Sequence, residues 1–457
     1  MKNNRLIALA VMAAFTGAAH AGFETFTPLT ASSPALPVGS PQEAKPLTLS
    51  STNFSQRTVD ANASTGSPNR RGDNWDMITA NQSGASAGRY LFSPYETSSA
   101  GVKRFDRQTG TSLQIVAPGT QGFVSGDASR WTPYGTYLTA EESWGSGSSK
   151  GRLFEITNPV TTTGAATTNF VQRNVIPRVS HEGLAFDKAG NLYFVDELNG
   201  GSIYKYTSKT PNADTFFDAG QTFVLKVGGG NNFGATGIAT WVPITDANGN
   251  ALNGANNMVI GGVTSVDGRK AADSVFATGY NRPEDLEIGM LGNGKQALYF
   301  TATDTHNVFS IQLTDENTAA VNLFVDRNTI DKATGLAVGS AFTNPDNLAI
   351  DANGNIYIVE DQPGGVADVW FAFDANRDGI AESIGRWLSM NTTGAEPTGL
   401  YFDPFNPNLA YLNIQHADSD IDRMIQISAV PEPETLPLAL AGLGLLGVIG
   451  RRRKQNI

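Results

Sequence analysis

Three acidic side chains occupy one repeating position: Glu182, Glu284 and Asp346 each stand two residues before a leucine, at Leu184, Leu286 and Leu348. If the repeats close into a circle, equal register means equal depth and the same face, so the carboxylates converge on one end of a central channel. Like charges brought together repel and raise one another's pKa, which bound cations relieve. Calcium and ferric iron, both hard ions, favour such oxygens. Arg282 precedes one of the acids and Asn347 follows another; a guanidinium beside a carboxylate-held cluster suits an anionic, oxygen-rich substrate, because its planar fork grips phosphate bidentately. Glu141, Glu142, Glu197, Asp361 and His416 end the tyrosine-bearing segments nearby. A single acid at the start of a repeat more often caps a turn; the shared register and Arg282 favour the cation site. A second ion site is encoded in Asp374-Ala375-Asn376-Arg377-Asp378-Gly379, with Glu382 following. Its twelfth position is Gly385, so it is no EF-hand, and Asp374, Asn376 and Asp378 read equally as a structural calcium turn or a plain Asp/Gly turn. The four histidines are too scattered for a zinc site.

The elements that would position these residues are short strands. From Asp73 to about Ser428 no long amphipathic helix is visible, and alternating apolar segments are separated by Gly, Asn, Asp and Pro. The segment from His181 to Glu197 matches the one from Pro345 to Asp361, each with an acid, a leucine, an Asp, then Gly-Asn and a tyrosine. Further copies run from Pro283 to Phe300 and from Pro397 to Leu412; Thr132–Thr139 supplies half of another, and Arg89–Phe92 a weaker one. Units that cannot bury a core alone and recur along the chain imply an all-β fold, a β-propeller of about six blades. The wide gap between Tyr193 and Tyr299 leaves room for one blade near Trp241. Residues 22–72, rich in Ser, Thr and Pro, are expected to be an irregular arm.

The 457-residue chain has no cysteine, which excludes disulfides, thiolate nucleophiles and thiolate metal ligands. A net charge of −11 argues against a nucleic-acid partner and is compatible with cation binding. No sequence feature indicates an oligomeric state. Lys2 and Arg5, an apolar stretch and Ala19-His20-Ala21 form a signal peptide over 1–21. At the other end, over 430–457, Pro431-Glu432-Pro433 precedes an apolar run, expected to be a hydrophobic helix, and Arg451, Arg452 and Arg453. This order resembles the PEP-CTERM sorting signal of Gram-negative bacteria, which implies handling by an exosortase. The expected location is the cell envelope or exterior, with transient or stable anchoring through the tail.

The phrases Thr132-Pro133-Tyr134-Gly135-Thr136-Tyr137-Leu138-Thr139-Ala140-Glu141-Glu142, Ser180-His181-Glu182, Arg282-Pro283-Glu284-Asp285, Asp346-Asn347 and Gln415-His416 resemble, in order, the landmarks of the PhoX-type alkaline phosphatases. The resemblance, over 73–428, implies a six-bladed propeller with a calcium and ferric-iron cluster, hydrolysing phosphomonoesters. It further implies Glu182 and Glu284 as iron-cluster ligands, Arg282 and Asn347 as phosphate-holding groups, and Asp346 with Glu141 or Glu142 as calcium ligands. One position departs. Phosphatases of the family carry a metal-bridging cysteine where this chain has Ala140, so an iron centre here is altered, filled by other ions or lost. The leading expectation is a metal-dependent phosphoesterase. The alternatives are a non-catalytic calcium-binding propeller acting as a surface or matrix module, and a calcium-dependent lactonase or esterase.

Overall fold

The computed structural model describes residues 22–62, 72–142, 148–362 and 365–429; the signal peptide expected over 1–21 and the sorting tail lie outside them. Six antiparallel four-stranded units follow one another around a common axis. Blade 1 is built from Thr79–Ala80, Tyr90–Pro94, Val102–Asp106 and Thr111–Val116. Blade 2 comprises Gly126–Trp131, Tyr137–Glu141, Leu153–Ile156 and Phe170–Gln172. Blade 3 comprises Leu184–Phe186, Leu192–Val195, Ile203–Ser208 and Gly220–Val227. Blade 4 comprises Pro283–Met290, Gln296–Ala302, Asn307–Leu313 and Thr318–Val325, and blade 5 Pro345–Ile350, Ile356–Glu360, Ala367–Phe373 and Ser383–Met390. In blade 6, Glu396–Phe402, Leu409–Gln415 and Arg423–Ala429 are completed by Phe54–Ala61 from the other end of the chain.

The inner strands are buried on both faces because each blade is covered by its neighbours: all four residues of Leu192–Val195 are buried, as are all five of Ile356–Glu360. Outer strands alternate, as in Gly220–Val227. The recurring tyrosine has a local cause. Asp187 Oδ1 accepts from the Asn191 N–H at 2.8 Å across the turn between first and second strands, and the Tyr193 hydroxyl donates to Asp187 Oδ2 at 3.1 Å. Blade 5 repeats the device with Asp351, Asn355 and Tyr357.

Two expectations change. The stretch around Trp241 is not a blade: Gly237–Pro243 pairs with Gly220–Val227 on one side and Thr318–Val325 on the other, joining blades 3 and 4 into one nine-stranded sheet. Trp241 is buried in that seam against Tyr193. The weaker Arg89–Phe92 copy is the real sixth unit, in blade 1. The arm, irregular at first, carries two strands: Leu47–Leu49 extends blade 5, and Phe54–Ala61 closes the circle. Polar composition concealed them, since an outermost strand buries only alternate side chains. Phe54 and Phe23 pack on Trp387, with ring centroids 5.9 and 5.5 Å from it. Phe54→Ala is therefore expected to cost about 3–5 kcal/mol, read as a lower urea midpoint with unchanged slope.

Candidate metal centre

Antiparallel strands put the start of each blade's first strand and the end of its second at one end of the molecule. Pairing between these two strands slips there in four blades: between Gly126 and Ser129, Pro283 and Leu286, Pro345 and Leu348, and Thr398 and Tyr401. A bulge leaves residues unpaired and re-aims their side chains. Asp127, Glu284 and Asp346 are each the first residue inside a slip. Glu182 and Asp76 occupy the matching place just ahead of blades 3 and 1, and Thr398 holds it in blade 6.

In blades 4 and 5 the residue after the acid ties its blade to the next. Asp285 Oδ2 accepts from the Leu348 N–H at 2.9 Å, and Asn347 Oδ1 accepts from the Gly399 N–H at 2.6 Å. The Thr398 hydroxyl, with one proton to give, lies 2.6 Å from Asn347 Oδ1 and 2.5 Å from Asp76 Oδ1. With its carbonyl so fixed, Asn347 lines the cavity. In blade 3 this residue is Gly183, where a Cβ would lie 2.1 Å from the Leu286 nitrogen.

An outer tier comes from the second strands, where acids stand in pairs and the period of two sends each member of a pair to a different side. Glu141, Asp196 and Glu360 face between blades and are clamped: Glu141 by the Arg152 N–H at 3.1 Å and its guanidinium Nε at 2.8 Å, Asp196 by Arg269 at 2.9 Å, Glu360 by Trp370 Nε1 at 2.9 Å. The next residues, Glu142, Glu197 and Asp361, line the cavity, as does Glu96 in blade 1. Of the two acids in the Glu141-Glu142 phrase, then, only Glu142 lines the cavity. Glu141→Gln breaks a buried ion pair and is expected to destabilise by about 3 kcal/mol with metal content unchanged. Glu142→Gln should lower metal content instead; elemental analysis beside thermal melting separates the two.

The cavity measures about 70 Å³ and is lined by ten carboxylates, Asn347 and Arg282. A second group joins one oxygen each from Glu96 and Glu396 to a ring nitrogen of His416, and in the first, one oxygen each from Glu182, Glu284 and Asp346 lies within 4.8 Å of the other two. That spacing fits oxygens around one calcium, whose bonds run about 2.3–2.6 Å. Burial, then mutual repulsion, pushes the carboxyls of Glu182, Asp346, Asp127, Asp76, Glu197 and Glu396 well above the ordinary range, and Asp361 to about 6. Glu182 Oε2 and Asp127 Oδ1 accept no hydrogen bond from the protein. Arg282 is the one cation among the described lining residues. Its Nη2 lies 2.9 Å from Glu197 and 2.8 Å from Glu284, and its backbone holds a left-handed φ of 48°, a strained conformation of the kind that clusters at functional sites. Burial alone would lower its pKa, but Glu284, Glu197 and Asp346 raise it.

The donor set fits hard cations held by oxygen. Ala140 shares its strand face with Glu142, and its methyl packs in the core with Ala128, Leu153 and Leu184, so no thiolate is available there. The Asp374–Asp378 turn lies at the opposite end of blade 5, between third and fourth strands. There Asp374 accepts from the Asp378 and Gly379 N–H groups at 3.1 and 3.0 Å, and Asn376 Oδ1 from Asp378 at 2.9 Å. The sequence reading missed Asp76, Glu96, Asp127 and Glu396. Among the described residues no helix is long and apolar enough to cross a membrane.

A family model described as alkaline phosphatase PhoX matches residues 120–418, and the PEP-CTERM protein-sorting motif matches residues 429–454. Among solved structures, the chain resembles Pseudomonas fluorescens PhoX in complex with vanadate, a transition state analogue, at a TM-score of 0.61 and 17% identity, covering 87% of this chain and 97% of that one. A Xanthomonas campestris gluconolactonase gives a TM-score of 0.45 at 10% identity over 88% of this chain and 99% of that one. No curated protein sequence matches.

Proposed function

Because the chain belongs to the alkaline phosphatase PhoX family, we propose that it is a metal-dependent phosphomonoesterase of the cell envelope. The observation that supports this reading most is the concentration of ten carboxylates around a single guanidinium in one buried cavity. Calcium, and iron in an arrangement lacking a bridging thiolate, are the cations proposed. Glu182, Glu284 and Asp346 would hold one ion and Glu96, Glu396 and His416 another, with Glu142 adding a carboxylate. A bound cation supplies charge neutralisation and Lewis-acid polarisation of the phosphoryl group. Arg282 meets the phosphate with a planar donor fork and stabilises the charge that grows on its equatorial oxygens. Asn347 donates from a fixed direction, because Gly399 and Thr398 hold its carbonyl. The PEP-CTERM motif supports export and association with the envelope, and an exosortase is the proposed partner there. The test is phosphate release from an aryl phosphate by metal-replete protein; undetectable turnover would count against the proposal.

Ala140 favours a second reading, a calcium-binding propeller without hydrolytic activity that serves as a surface or matrix module. It predicts calcium-dependent thermal stability in protein that releases no phosphate from any ester offered. The Asp374, Asn376 and Asp378 turn, remote from the cavity, is proposed as a structural calcium loop under either reading.

A further inference from the structure

The strand that joins blades 3 and 4 is reached through a loop, Gly228-Gly229-Gly230-Asn231-Asn232-Phe233-Gly234, that passes over the acid-lined end of the molecule. Left-handed φ values at Gly228, Gly230, Asn231 and Gly234 bend it sharply. It is nevertheless pinned. The Asn231 N–H donates to Phe276 at 3.0 Å, the Gly234 N–H to Gly279 at 2.9 Å, and Asn232 Oδ1 accepts from the Thr278 hydroxyl at 2.9 Å. At its tip Phe233 is 68% exposed. Its ring lies over Gly200, where a Cβ would sit 2.9 Å from the ring carbon Cζ. Gly200 follows Glu197 by three residues, at most about 10 Å of chain, and its N–H donates to Tyr280 at 2.8 Å, two residues before Arg282. The loop therefore rests on the two segments that present Glu197 and Arg282 to the cavity. Phe276 and Ile238, 60% and 79% exposed, flank it, tied in through the Asn231 and Gly228 hydrogen bonds.

Resting on the phosphoesterase reading, we infer that Phe233 is the subsite for the organic part of the substrate, selecting phosphomonoesters of aromatic or extended apolar alcohols. The phosphate is fixed by its charge at Arg282, and the ester oxygen must project out of a cavity too small and too polar for a carbon skeleton. On the blade 3 and 4 side the segment that carries Glu197 lies under the Phe233 ring at Gly200, and a solvent-facing aromatic ring gains most from a flat apolar group laid against it. Singly exposed apolar side chains are common and carry no meaning; here Phe233 lies over Gly200, in the segment that carries Glu197, and its loop is bonded to the backbones of Phe276 and Ile238.

Binding of phenylphosphonate and methylphosphonate to metal-replete protein, measured by calorimetry, tests the assignment without requiring turnover. Phenylphosphonate is expected to bind about tenfold more tightly. Phe233→Ala should erase that ratio, and Phe233→Tyr should restore it. Phe405→Ala, an exposed phenylalanine at the opposite end of blade 6, should leave the ratio as in the unmodified protein. Equal affinities in the unmodified protein, or a ratio that survives in Phe233→Ala, overturn the subsite even where aryl phosphates are hydrolysed. A phenyl preference lost in Phe233→Ala but without turnover supports the subsite and sinks the hydrolase reading. Failure of both phosphonates to bind sinks both readings.

Discussion

Replacing Arg282 by alanine is expected to lower kcat/KM for an aryl phosphate by about a thousandfold, the scale on which a guanidinium that meets a transferring phosphoryl group acts. Two losses combine. The donor fork at the substrate disappears, and Glu197 and Glu284, each within 3 Å of Arg282 Nη2, lose their shared positive partner. Arg282→Lys separates them: it restores a charge near the two carboxylates but not the planar fork, so metal content should recover largely while kcat/KM stays at least about tenfold down. Steady-state kinetics beside elemental analysis reads both. A loss below about tenfold in Arg282→Ala would remove this side chain from the phosphate site.

Removing the cations should abolish phosphate release and lower thermal stability together. A cation present at about a hundred times its Kd adds about 2.7 kcal/mol to a folded state that alone binds it, so exhaustive chelation is expected to lower Tm by roughly 3 °C. The metal-free protein should then show an inverse pH dependence. Buried carboxyls such as Glu182, Asp346 and Asp127 have folded-state pKa values raised by desolvation and by one another, whereas unfolded Asp and Glu titrate near ~4. A raised folded pKa contributes stability that is fully present below the unfolded value and lost as pH rises through the folded one. For Asp361 that window closes at about 6, and for the more strongly shifted groups it extends higher. Chelated protein should accordingly melt at higher temperature at pH 5 than at pH 8, with the gap to metal-replete protein narrowing on acidification. A Tm that ignores chelation at pH 8 would mean the carboxylates are stabilised by something other than cations.

Much of this centre is legible in the sequence alone, and the parts that are not have local reasons. Glu182, Glu284 and Asp346 announce themselves because a leucine follows at fixed distance and a tyrosine strand comes after. Asp127 shares their place, but Ser129 stands where the leucine would be; Asp76 precedes a first strand of only two residues, Thr79–Ala80. Asp76 keeps an apolar residue at the leucine's place, Ile78, but with so short a strand and no leucine, neither acid is found by the repeat. Glu141 and Glu142 are indistinguishable as a phrase. The strand's alternation decides between them, and the recurrence of the doublet as Asp196-Glu197 and Glu360-Asp361 was the signal that its second member faces the axis. The number of blades was reachable from the tyrosines, yet one unit was placed at Trp241 because a long gap reads as a missing repeat when it holds an inserted strand. Closure by Phe54–Ala61 depends on a partner 369 positions away, Arg57 against Gln426, which no local pattern encodes.

The central claim is that carboxylates from separate blades meet to hold cations at one end of the channel. Elemental analysis of purified protein, unmodified and Glu284→Gln, measures it most directly. Stoichiometric calcium or iron in the unmodified protein, falling clearly in the variant while its fold persists, is the predicted result. Protein that carries no metal after equilibration with both ions, or holds the same amount with Glu284 neutralised, would contradict it.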